Sequence, residues 1–149
     1  DIIIADRKTG GILTDLRVDR ERITHAVIGV GVNVNLSSNS LPAQLRDSAT
    51  SLMAEAGTPF SRNKIAVELL TEHARWYGLL AEGMRTDVLK EWSRLCTTIG
   101  RPVTVSLPHL SRSAMAMGVD EEGLLIVQLP DGTRRKISAG DVSHRGPLQ

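Results

Sequence analysis

The stretch that most constrains this chain is Arg7-Lys8-Thr9-Gly10-Gly11-Ile12-Leu13, together with Ala26-Val27-Ile28-Gly29-Val30-Gly31-Val32-Asn33-Val34-Asn35. Both read as β-branched, apolar strands interrupted by glycine. Glycine weakens a strand interior, and where it recurs it marks a bulge or a place where another group must lie against the backbone. In the first stretch a cation stands beside the bare positions, at a polar turn read over Asp6-Arg7-Lys8-Thr9.

Two familiar phosphate-binding arrangements are excluded. A P-loop needs its lysine after the glycines, opening a helix, whereas Lys8 precedes Gly10-Gly11 and a strand follows. A dinucleotide fingerprint starting at Gly29-Val30-Gly31 needs a third glycine at position 34, which is Val, and a helix afterwards. What remains is a pair of neighbouring strands whose glycines admit a flat ligand. Lys8 can neutralise a carboxylate or phosphate as a point charge. Asn33 offers both a donor and an acceptor, which suits an adenine edge. The residues alone leave a plainer alternative open: the glycines as bulges, Lys8 as a solvated turn residue, Asn33 as a strand end.

Around this pair the expected order is a strand at 2–5, a second near 11–18 and a third at 24–34, forming an antiparallel meander. Residues 36–46 have loop chemistry. A short helix follows, capped by Ser48 and closed by Gly57. A long helix capped by Ser61 or Asn63 runs to about residue 82, with Ile65, Leu69, Trp76 and Leu80 on one stripe. A third helix spans about 85–97. Trp76 and Trp92 are expected to pack in a core, Cys96 to be a buried, inert thiol, and His73 to be structural or exposed. From Ile99-Gly100-Arg101-Pro102 onward the pattern changes to five short strands, near 103–107, 114–119, 124–129, 134–137 and 141–144. Tight turns at Asp120–Gly123 and Pro130–Gly132 join some of them, as in a small SH3-like barrel. A domain boundary is expected near 98–101.

Composition narrows the function classes. The 149 residues are 41% hydrophobic and 23% charged, with a net charge of +1, so no basic footprint argues for nucleic acid. One cysteine excludes an internal disulfide and a cysteine-cluster metal site, and no metal ligand set is expected. No apolar run approaches the length of a membrane span, and no secretory or lipidation signal is seen, which points to the cytoplasm. The chain opens on Asp1 and runs directly into Ile2-Ile3-Ile4, which predicts a protein continuing upstream.

Four motifs in register resemble bacterial biotin protein ligases. They are Asp1 through Lys8-Thr9-Gly10-Gly11-Ile12-Leu13-Thr14-Asp15, the Gly29–Asn35 strand, Ala49-Thr50-Ser51-Leu52, and the terminal Gly100-Arg101-Pro102-Val103 with Gly140-Asp141-Val142-Ser143-His144-Arg145. The resemblance runs over essentially the whole chain. It implies an α+β fold: a class II synthetase-like biotin/lipoate ligase catalytic domain, with a mixed sheet and helices on one face, then an SH3-like barrel. Residues 1–98 would be the later portion of the catalytic domain and 99–149 the barrel. The implied reaction activates biotin with ATP and Mg²⁺ to biotinyl-5′-AMP, then transfers it to a lysine of a biotin carrier protein such as that of acetyl-CoA carboxylase.

By the same resemblance, Lys8 meets the activated carboxyl and the phosphate, and Asp1 is an acidic residue near the reacting centre. Gly11, Leu13, Gly29, Val30 and Val32 line the biotin pocket. Asn33 recognises adenine, and Asp141 and Arg145 face the nucleotide. The family's Gly-Arg-Gly-Arg-Arg-Gly loop, its ureido-binding residues and any helix-turn-helix have no counterpart here, so the isolated chain is expected to be an inactive fragment without a nucleic-acid partner. Monomer and sheet-mediated homodimer are both compatible. A non-catalytic module docking a carrier protein or subunit is the alternative from another class; a lipoate ligase is a third reading.

Overall fold

The computed structural model describes residues 1–20, 22–107, 110–138 and 141–144. It divides into two compact units, Asp1–Thr71 and Glu72–Gln149.

In the first unit, β1 (Ile2–Ile4), β2 (Arg7–Asp19) and β3 (Arg22–Val32) form an antiparallel sheet in the order β1-β2-β3. Ala5 and Asp6 alone make the first turn, with φ of 49° and 59°. Two left-handed residues are what a two-residue hairpin needs to match strand twist. The polar turn expected over Asp6–Thr9 is therefore shorter, and Arg7, Lys8 and Thr9 already belong to β2. The sheet is antiparallel rather than mixed. Its parallel element among the described residues is a single bridge, Lys8 to Ala49.

Strand period explains which residues share a face. Ile12, Thr14 and Leu16 of β2 pair with Val30, Ile28 and Ala26 of β3, which makes one face apolar. Gly11, Leu13, Asp15 and Arg17 pair with Gly31, Gly29, Val27 and His25, which makes the other glycine-rich and polar. Both faces stand open: Leu13 is 69% and Val27 60% exposed, and Ile12, Leu16, Val18 and Ile23 are also more than half exposed.

Beyond β3, two short 3₁₀ turns at Ser38–Ser40 and Ala43–Leu45 lead to α1 (Leu52–Ala56). Ser51, not Ser48, caps it, its hydroxyl accepting from the Ala54 N–H at 3.0 Å, and Gly57 ends it in a left-handed conformation, φ 72°. α2 (Arg62–Ala81) carries the boundary between the units, and α3 (Arg85–Leu95) follows. Neither of these two helices contains a buried residue. The expected core tryptophans lie instead at the surface. Trp76 is half-buried beneath the Arg75 guanidinium and donates to Glu72, and Trp92 is exposed. Cys96 is half-buried. No described helix is long and apolar enough to cross a membrane.

The second unit contains β4 (Pro102–Leu107), β5 (Leu110–Val119), β6 (Leu125–Gln128), β7 (Arg134–Ile137) and β8 (Asp141–His144). All pairs are antiparallel, in the order β7-β6-β5-β4-β8. The five strands are those expected, but β7 and β8 are the two edges of the sheet, and no pairing among the described residues closes a barrel. Val103, Val105, Ala114, Ala116 and Val127 form its core, with Leu125, Leu129 and Ile137 packed against them.

Candidate functional site

The site begins with a defect in strand pairing. Ile2 pairs with Gly10, but Ile3 pairs with Lys8, so β2 spends one more residue than β1 over the same step. That extra residue is Thr9. A bulge reverses the alternation of side chains on one side of it. Lys8 thereby comes onto the same face as Gly11: a Cβ built on Gly11 would lie 3.8 Å from Lys8 Nζ. Regular alternation would have put the two on opposite faces. Gly10, next to the bulge, runs so close to β3 that a Cβ there would collide with the Gly31 carbonyl oxygen. Only glycine fits.

From Lys8 a flat lane extends along the polar face. Gly11 faces Gly31 and Leu13 faces Gly29 across the strands, and nothing lies within 4 Å of a Cβ placed on Gly31. A planar ring can therefore meet backbone directly. Asp1 Oδ1 pairs with Lys8 Nζ at 2.6 Å over Gly11, each side chain about half exposed. The ammonium and carboxylate thus lie at one end of the lane, open to an incoming acid or phosphate. Such an exposed pair contributes about 0–1 kcal/mol, so an anionic ligand can displace Asp1 at little cost.

Asn33 follows the last β3 residue. Its backbone N–H donates to Thr9 O at 2.7 Å, and its side-chain Nδ2 donates to Thr50 O at 3.0 Å. With Nδ2 engaged in that bond, the Oδ1 end of the amide is an acceptor, chemically suited to an exocyclic amine. Thr50 is a hub. Its N–H donates to Lys8 O (2.9 Å), its carbonyl accepts from Asn33, and its hydroxyl donates to Glu55 Oε1. The Lys8 N–H donates to Ser48 O (2.8 Å), so the main chain of Lys8 is held on both sides. Thr9, Thr50 and Ser51 are fully buried beneath this junction, with the Thr9 hydroxyl unpartnered there.

The structure thus brings together Lys8, Asp1, Gly11, Leu13 and Gly29 on one face, with Asn33 joined to Thr9 and Thr50 at its end. It does not bring Val30 and Val32 there. They pair with Ile12 and Gly10 and lie, by strand period, on the apolar face. Gly31, which pairs with Gly11, lies on the glycine-rich face instead, a position that the Gly29-x-Gly31 alternation already marked. Thr50 went without a role in the sequence because two of its three bonds, to Lys8 and Asn33, run to residues distant along the chain. Arg145 lies outside the described residues, as does the side chain of Asp141.

The biotin protein ligase C terminal domain family matches residues 98–145. The chain is 31% identical over 140 residues to the bifunctional ligase/repressor BirA of Bacillus subtilis, covering 93% of this chain and 43% of that protein. Against BirA of Escherichia coli it is 26% identical over 145 residues, covering 97% and 44%. The chain matches the C-terminal part of bacterial biotin protein ligases. It spans less than half the length of these curated relatives.

Among solved structures, the apo biotin protein ligase of Aquifex aeolicus superposes with a TM-score of 0.80 at 21% identity, covering 95% of this chain and 60% of that one. The same enzyme in complex with biotin and ATP gives 0.77 at 20% identity, covering 95% and 57%. These likenesses establish the α+β ligase fold; the bulge, the lane and the Thr50 junction are features of this chain's own geometry.

Proposed function

We propose that the protein carrying this chain is an ATP-dependent ligase that activates biotin as biotinyl-5′-AMP and transfers it to a lysine of a biotin carrier protein of the acetyl-CoA carboxylase type. The observation that carries this reading is the Lys8 ammonium turned by the Thr9 bulge onto the glycine lane, with Asn33 bound to the same junction.

The chemistry fits these groups. In the first step a carboxylate oxygen of biotin attacks the α-phosphorus of ATP, the bond to pyrophosphate breaks, and negative charge builds on phosphoryl oxygens. A fixed ammonium offsets that charge where it develops. In the second step a carrier lysine amine attacks the acyl carbon, loses a proton, and AMP departs; the same ammonium faces the acyl oxygen. Gly11, Gly31 and Gly29 leave room for a ring against the backbone, and Leu13 gives an apolar wall for its tail. Asn33 reads adenine. Asp1 occupies Lys8 until substrate arrives, and Arg145 is assigned to the nucleotide side by family resemblance alone. No group of three or more described His, Cys, Asp or Glu side chains is set to hold a metal by itself. Mg²⁺ on this reading arrives on the phosphates of ATP, and no step above depends on it.

The division at 98/99, with an SH3-like module afterwards, is supported by the family match that begins at residue 98 and by the five-strand order. The exposed apolar side chains on both faces of β2 and β3 support a further point: this chain needs additional polypeptide over its sheet to complete the pocket. The same exposure is what a docking module would have, so turnover decides between the two. The test is incubation with biotin or lipoate, ATP and pyrophosphatase, followed by mass spectrometry. Biotinyl-5′-AMP is expected from the protein encoded by the complete gene and not from this chain alone. Absence of adenylate from both would sink the ligase reading; lipoyl-AMP in its place would change the acid.

A further inference from the structure

We infer that Glu55 is a positioning residue: it sets the spacing between Lys8 and Asn33, acting through Arg7 and Thr50 without meeting substrate. The inference rests on the ligase reading for its catalytic consequence and on geometry alone for its structural one.

Glu55 sits on α1, 48 residues along the chain from Arg7. A single oxygen, Oε1, accepts from Arg7 Nη2 at 2.6 Å and from the Thr50 hydroxyl. Arg7 immediately precedes Lys8 on β2. Thr50 immediately follows Ala49, the residue bridged to Lys8, and its main chain holds Lys8 O on one side and Asn33 Nδ2 on the other. One carboxylate therefore ties together both segments that carry the charge-neutralising lysine and the adenine-reading amide.

Both bonds are short and charge-assisted, the class that fixes geometry most strongly. Glu55 is also largely shielded, its side chain 21% exposed against 37% for Arg7. A carboxylate removed here leaves a guanidinium and a buried hydroxyl without their shared acceptor. The neighbouring Ser51 is anchored separately, donating to Leu36 O and capping α1. Loss of Glu55 would thus loosen the Lys8–Thr50–Asn33 junction while the cap of α1 stays in place.

Two measurements test this, one independent of activity. In the 149-residue chain, hydrogen exchange by NMR at the Thr50 amide, which donates to Lys8 O, should accelerate about tenfold in Glu55→Ala, the scale of one charge-assisted hydrogen bond. Amides of the β4–β5 pair should be unchanged. An unchanged Thr50 amide overturns the inference whatever the enzymology shows.

In the protein from the complete gene, Glu55→Ala should lower the adenylation rate about tenfold, and less than about twofold when Lys8 is already Ala, because residues acting through one another are not additive. Additive losses would mean a general structural role and would overturn it. An inactive wild type with an accelerated Thr50 amide would refute the ligase reading and keep the positioning geometry. Should Glu55→Ala not fold by circular dichroism, Glu55→Gln, which keeps an acceptor for Thr50, goes through the same pair of measurements. A change of about threefold is then expected, and none at all overturns the claim.

Discussion

Lys8 is a reactive-site candidate only because of its company. An exposed lysine on a strand is ordinary; this one stands over Gly11, at the head of a lane continued by Gly31 and Gly29, with the half-exposed Asp1 carboxylate against it. We expect Lys8→Ala to lower both half-reactions by about 10²-fold, the scale of removing one preorganised charge stabiliser, with the melting temperature nearly unchanged. Near-normal rates would remove Lys8 from the mechanism.

The assignment of faces is tested by a contrasting pair. Gly31→Leu should abolish biotin binding in a calorimeter while leaving the fold intact, since nothing lies within 4 Å of the new Cβ. Val30→Leu, on the apolar face, should bind normally. Equal loss in both would show that the two faces had been assigned wrongly. Lysine, glycine and asparagine were legible as types in the sequence. The face was not, because it depends on a single unpaired residue, Thr9, whose place in the register is fixed by the partner strand.

At the scale of elements, the strands were legible because their alternation and β-branched content are local properties. The first turn was read too long, and for a physical reason. Ala5 adopts φ 49° without being glycine, asparagine or aspartate, so of the two turn positions only Asp6 was recognisable. A non-glycine residue there costs about 1–2 kcal/mol. Ala5→Gly should recover about 1 kcal/mol of this, seen as a higher melting temperature for the first unit, whereas Ala5→Val should destabilise it.

The turn between β5 and β6 carries a titratable counterpart. Lys136 Nζ lies 2.7 Å from Asp120 Oδ2, and the Leu124 and Glu122 N–H groups donate to Oδ1. The Lys136 contact first, and those backbone bonds after it, hold the Asp120 carboxyl below its ordinary range. A carboxyl depressed in the folded state adds stability that is present above its unfolded value. That stability is lost as pH falls from about 3.9 through the lower folded value. Asp120→Asn should therefore reduce the drop in melting temperature between pH 7 and pH 3. A drop equal to that of the wild type would show that the ion pair contributes nothing there.

For the whole molecule, the second unit has a compact apolar centre and the first does not. Val34 is its sole buried hydrophobic residue among those described, and the buried side chains around the junction are Thr9, Thr50 and Ser51. Covering each exposed Leu, Ile or Val of β2 and β3 would be worth about 1.5–3 kcal/mol. The isolated chain should accordingly bind an apolar dye such as ANS, and added polypeptide that completes the domain should suppress it; a chain that binds no dye would argue that the sheet is already covered. Helix periodicity predicted buried tryptophans on α2 and α3 because it reports which residues could share an interface. Whether an interface forms depends on partners that a helix's own sequence does not encode.

The extra residue in β2 has one more consequence. Deleting Thr9 would straighten the pairing of β1 with β2 and leave every other residue type unaltered. Lys8 would then stand two residues before Gly11, and regular alternation alone would keep its ammonium over the glycines. What the deletion would remove is the buried carbonyl that accepts from the Asn33 N–H. The chemistry of this edge is thus keyed to a parity: an odd separation of Lys8 from Gly11 needs the bulge, and an even one does without it. A change in the residue count that alters one without the other would carry the charge to the reverse side of the ribbon, whatever the composition of the strand.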